Sequence, residues 1–112
     1  MDLSDVVGEL TGEISDALIA IRNYTEPRSI RIIGPCLQGL EDNMKRLESL
    51  EERLPNMSES QLHAELRTIV RNLTRTFDQL KRSQVADPSW YEGEPGSGVP
   101  PAVSTARELL GL

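Results

Sequence analysis

The chain is short of the residues that carry most protein chemistry. It holds one cysteine, Cys36, and one histidine, His63. A lone cysteine excludes an intramolecular disulfide, and one Cys with one His excludes a His/Cys zinc cluster. No basic neighbour in the local sequence lowers the pKa of Cys36, which reads as a small hydrophobe beside an apolar stripe. His63 falls in the first turn of a helix without a nucleophile or carboxylate assigned to it. No glycine-rich phosphate loop occurs, because Gly93-Glu94-Pro95-Gly96 is a proline-containing turn. No carboxylate pair stands out from ordinary surface acids. This inventory predicts no enzyme, no cofactor, no metal and no small-molecule substrate.

Aromatics are equally scarce: Phe77, Trp90, Tyr24 and Tyr91. A core must therefore be built from Leu, Ile, Val and Met, as in helical bundles. No apolar run approaches the roughly 20 residues that span a bilayer. Asp2 and Asp5 stand where a signal peptide would carry positive charge. Three glycosylation-type triplets begin at Asn23, Asn56 and Asn72, but without such a signal they read as coincidence. The expectation is a soluble cytoplasmic protein. Its net charge of −6 argues against nucleic acid and against simple adhesion to anionic membranes.

What the chain does have is a heptad stripe. Ile30, Ile33, Leu37, Leu40, Met44, Leu47 and Leu54 recur at spacings of three and four. Glu51 breaks the run and Leu50 beside it compensates. Such a coiled-coil-like seam must bury itself against other helices. Earlier in the chain, Leu3, Val6, Val7, Leu10, Ile14, Ala17, Leu18 and Ile21 mark a first helix, over residues 3–23, capped by Asp2 or Ser4. Gly8 and Gly12 offer two small positions where a neighbouring helix could come close. Pro27 separates this helix from the second, which spans 28–54 and carries the seam. Gly34-Pro35 falls inside it, so the helix either kinks there or starts anew at Pro35; the continuous kinked form is the expectation. Pro55 ends it. Ser58 and Gln61 have capping-box spacing, with Met57 and Leu62 at the staple positions, and open a third helix over 58–83.

Residues 1–84 thus form an all-α, three-helix up-down-up bundle domain. Residues 85–112 read as a flexible, Pro/Gly-rich acidic tail. Thr105 and Glu108 allow a short helix at 104–110, which would need a surface to dock on. Val70 and Phe77 on the third helix, and Val7 and Ile14 on the first, make the apolar stripes wider than three helices need. Oligomerisation would complete a four-helix or larger bundle. Asp5, Glu9, Glu13 and Asp16 line one side of the first helix, and Arg67, Arg71 and Arg75 line the third. These stripes can face each other within or between subunits, or remain solvated; alternatively the arginines offer a charged face to an acidic partner. Trp90 and Tyr91 in the tail form a candidate docking peptide, or fold back onto the bundle.

Arg31-Ile32-Ile33-Gly34-Pro35-Cys36-Leu37, the Pro55 break and the Leu/Ile helix after it resemble the N-terminal four-helix domains of necroptosis pseudokinases and plant helper immune receptors. That resemblance implies a helical signalling domain acting at membranes in cell death or immunity. Ser29-Ile30-Arg31-Ile32-Ile33-Gly34 and Met44-Lys45 also resemble the bornavirus phosphoprotein coiled coil, and a small viral or phage assembly factor is a further alternative. The function expected from the residues themselves is protein–protein interaction, as an oligomerisation or adaptor module. Its interaction seam would be Ile33, Leu37, Leu40, Met44 and Leu47, buried against the third helix and against another chain. The partner is a protein, with self-association expected.

Overall fold

The computed structural model describes residues 2–24, 31–83 and 100–112. Among these residues the regular structure is entirely helical: α1 (Leu3–Tyr24), α2 (Gly34–Arg53), a 3-10 turn (Leu54–Asn56), α3 (Glu59–Ser83) and α4 (Pro101–Leu110). α1 and α3 owe their starts to local capping pairs. Asp2 caps α1 in a reciprocal pair: the Asp5 N–H donates to Asp2 Oδ1 at 3.1 Å, and the Asp2 N–H to Asp5 Oδ2 at 3.2 Å. The capping box expected at α3 is formed. The Ser58 N–H donates to Gln61 Oε1 at 3.0 Å and the Gln61 N–H to Ser58 Oγ at 3.2 Å. Met57 and Leu62, its staple residues, both join the core.

The second helix differs from the kinked helix over 28–54. Arg31 and Ile32 are helical, Ile33 is a turn, and α2 begins at Gly34, with Pro35 in its first turn. Proline has no N–H to continue a helix from residue 31, and its ring crowds the preceding turn. In the first turn neither defect matters, so the break falls just ahead of it. Residues 25–30, with Pro27 and Ile30, lie outside the described residues.

The tail requires a larger correction. Its last part is not a flexible appendage but a fourth helix, which starts at Pro101 rather than residue 104. Ala102, Val103, Ala106 and Leu110 are all buried. Their spacing gives α4 one apolar stripe, and the two alanines let its backbone lie close to its neighbours. Gly111 ends it at φ 72°, with the Leu112 N–H bonded to Arg107 O at 2.9 Å and the Gly111 N–H to Glu108 O at 3.2 Å. This paired pattern needs a left-handed residue, the role glycine fills without steric cost.

The helices pack in a ring: α1 on α2, α2 on α3, α3 on α4 and α4 on α1. Val7, Ile14, Val70 and Phe77 are fully buried. The excess apolar width of α1 and α3 is thus covered, and the chain supplies its own fourth helix to that core. Packing also reassigns the glycines. A Cβ on Gly8 or Gly12 would meet nothing within 4 Å, so no helix approaches there. The tight spot is Gly39, where a Cβ would lie 3.2 Å from Thr76 Oγ1, so that the Thr76 side chain must give by a few tenths of an ångström.

Candidate docking groove

The expected interaction seam is spent inside the chain. Ile33, Leu37, Leu40 and Leu47 are buried and Met44 is half-buried against the same core. Leu50 is buried while Glu51 is exposed, as the break in the heptad requires. The seam serves folding, and little of it is left to meet another chain. Trp90 and Tyr91 lie outside the described residues. Arg67, Arg71 and Arg75 are all exposed, and no ion pair joins them to α1 among the described residues. The acidic side of α1 borders α4 instead, and of its acids Glu13 bonds to that helix. Glu9, Glu13 and Asp16 line a shallow hollow there with Pro101, Ala102 and Thr105.

Glu13 is the centre of that contact. Its Oε2 accepts the Ala102 N–H at 3.0 Å, so a side chain of α1 caps α4, whose own preceding residue is Pro100 and cannot. Helix N-terminal N–H groups and their partial positive charge favour a carboxylate. Burial nonetheless raises the Glu13 pKa above its ordinary value. The N–H groups of Ala102 and Val103 pull it down less, and the neighbouring Glu9 and Asp16 push it further up. The Arg107 guanidinium of α4 donates to Thr74 Oγ1 of α3 at 3.1 Å, tying the helix on its other side.

A concavity lies between α2 and α3. It is a groove of about 500 Å³ lined by Lys45, Arg46, Ser49 and Arg53 of α2 and by Ala64, Glu65, Thr68 and Ile69 of α3. The hollow exists because Ser49, Ala64 and Thr68 are short where long side chains would fill it. Ile69, almost wholly buried, supplies an apolar floor. The groove continues at both ends. Arg53 and Glu65 also line a hollow with Met57 and Gln61, and Arg46 lines one with Asp42, Asn43 and Arg75. The groove therefore forms part of a valley along the whole α2–α3 contact.

Its electrostatics reverse those of the chain. The main groove has three cations and one carboxylate, Glu65, which Arg53 already engages at 2.9 Å. Lys45 and Arg46 form no ion pair among the described residues. Glu65 Oε2 is buried without a hydrogen-bond partner there, and so is Asn43 Oδ1, although Asn43 Nδ2 donates to Gly39 O at 2.8 Å. Sequence reasoning singled out the arginine stripe of α3 and missed Lys45, Arg46 and Arg53. The available signal was the set of short residues at 49, 64 and 68 facing one another across two neighbouring helices. Cys36 stands apart from the groove: half-buried, its thiol pKa is raised by burial, which makes it a poor nucleophile. No group of three or more His, Cys, Asp or Glu that could hold a metal occurs among the described residues. None of their helices is long and apolar enough to cross a membrane.

Comparison of the chain with protein-family models, with curated proteins and with solved structures finds no match.

Proposed function

We propose that the chain is a non-enzymatic protein–protein interaction module that holds an acidic amphipathic helix in the α2–α3 valley. The reading takes α1, α2 and α3 as an up-down-up unit closed by α4. Support comes from cross-helix pairs: Arg22 with Glu41 and Thr11 with Glu51, then Cys36 with Gln79 and Arg53 with Glu65. Late residues of one helix meet early residues of the next in both sets. The observation that carries the function is the groove itself. A chain of net charge −6 gathers three cations around an apolar floor.

A helix laid in such a groove buries its apolar face on the floor and sets its carboxylates against the rim. Rim charges of this kind govern encounter rate and partner choice more than affinity. The membrane-acting alternative uses the same cations on anionic headgroups, but the net charge of −6 opposes it.

The test is a titration of the isotope-labelled chain with a designed Glu/Leu amphipathic helical peptide, followed by amide NMR. Saturable shifts concentrated at Lys45, Arg46, Ser49, Arg53, Thr68 and Ile69 are expected, and a Lys/Leu peptide of the same length should give none. Equal response to both peptides, or no saturation, refutes the reading. Co-sedimentation with phosphatidylserine vesicles at low salt, without peptide binding, would transfer the function to membranes.

A further inference from the structure

We infer that the acidic helix fitting this valley is α1 of a second copy, so that copies of the chain associate head to tail. The inference rests on the docking reading above and names the partner.

Asp5, Glu9 and Asp16 are exposed, and none of them forms an ion pair among the described residues. Lys45 and Arg46 are unpaired in the same sense. These opposite sets cannot meet within one molecule. In the ring of helices the α1–α4 edge lies across from the α2–α3 edge. A helix separates them, about 8–10 Å from axis to axis and more once side chains are added. That is about one Debye length at 0.1 M salt, so the two sets hardly feel each other in cis. Between copies they can make contact.

The spacing matches. Glu9 and Asp16 are seven residues apart on α1, as Arg46 and Arg53 are on α2. Seven residues are two helical turns, about 10.5 Å, so each pair lies on one face and the two pairs coincide when α1 is laid along α2. The apolar stripe of α1 is buried in its own core, so the exposed Ile19 is what meets the apolar floor; Gly8 and Gly12 accompany the acids on that exposed side, with open space where a Cβ would be. A helix with these small residues can approach a valley floor closely. The contact joins two different surfaces, so a copy that has offered its α1 still has a free valley. Such heterologous contacts do not close into a dimer; they grow until they form a ring or an open chain.

The experiment is sedimentation velocity on the full chain over a concentration series, at low salt and at ~1 M salt, where the screening length is about 3 Å. Three samples are added: Lys45→Glu/Arg46→Glu, Glu9→Lys/Asp16→Lys, and their equimolar mixture. All four positions are exposed, and circular dichroism confirms folding of each variant. The wild type should grow beyond dimer at low salt and dissociate at high salt. Each double variant alone should lose association by at least about tenfold. The mixture should recover it, because each reversed surface then meets a complementary one. A wild type that stays monomeric, variants that still associate alone, or a mixture that fails to recover overturns the inference. If the Glu/Leu peptide still saturates the groove in that case, the docking function stands without self-association; if it does not, both fall.

Discussion

Replacing Glu13 isolates a contact in which a residue of the first helix completes the last. Glu13→Ala removes the acceptor of the Ala102 N–H at 3.0 Å, and Pro100 cannot substitute for it. Loss of an N-terminal cap costs about 1 kcal/mol, which in a domain near 100 residues lowers Tm by about 4 °C. Glu13→Gln keeps an oxygen acceptor and discards the buried charge. Burial, Glu9 and Asp16 outweigh the two N–H groups in setting the Glu13 pKa, and the net shift is upward. A carboxyl whose pKa is raised on folding stabilises the native state fully below its unfolded pKa, and that contribution is lost as pH rises through the folded value. Glu13→Gln should therefore melt at or above the wild type at neutral pH. Its advantage should shrink to nothing as pH falls below the ordinary value of 4.5. Thermal melts from pH 4 to 8, with hydrogen exchange read at the α4 amides, measure both effects. The cap assignment is wrong if Glu13→Ala melts with the wild type at neutral pH. It is equally wrong if the alanine and glutamine variants are indistinguishable throughout.

Other substitutions separate packing from surface. Leu40→Asp places an unpaired charge at a fully buried position and should abolish the cooperative melt; Leu40→Ala should cost about 2–5 kcal/mol in urea unfolding. Gly8→Ala and Gly12→Ala fill open space and should each stabilise by up to about 1 kcal/mol; a decrease in melting temperature would place a neighbour against them. Gly39→Ala should gain less than either, because its Cβ must displace Thr76. Gly111→Ala forces a side chain into φ 72° and should destabilise by about 1 kcal/mol.

The local elements were legible in the sequence. Ser58 and Gln61 announce a helix start because both partners of each hydrogen bond sit three residues apart. The replacement of Glu51 by Leu50 in the seam follows from helical periodicity alone. What escaped were contacts between elements beyond the burial of the seam. The segment around Ala102 and Ala106 reads as tail until the width of α1 and α3 is known, and α4 would not persist without them. Glu13 looks like one acid in a stripe, since nothing local marks it as a cap for residue 102. Gly8 and Gly12 look like positions of close helix approach, while the glycine under steric demand is Gly39, identified only by Thr76 across the interface. The groove was hidden for a related reason. Lys45 and Arg46 sit among Glu41, Asp42 and Glu48, so the local sequence looks neutral. A cavity is defined by missing volume at Ser49, Ala64 and Thr68, which hydrophobic patterning does not register.

The bond from Ala102 to Glu13 spans 89 residues of sequence, and this sets an order of assembly. Pairing of α1 with α2 and of α2 with α3 closes short loops, whereas seating α4 closes nearly the whole chain at once. Loop-closure entropy grows with that length, so the first three helices should associate early and α4 should lock the ring last. During synthesis, α1 emerges before the other three described helices and waits for the last of them before its second neighbour arrives. Until that moment the side of α1 that α4 will cover is a partner-seeking surface, for which a chaperone or another nascent chain competes.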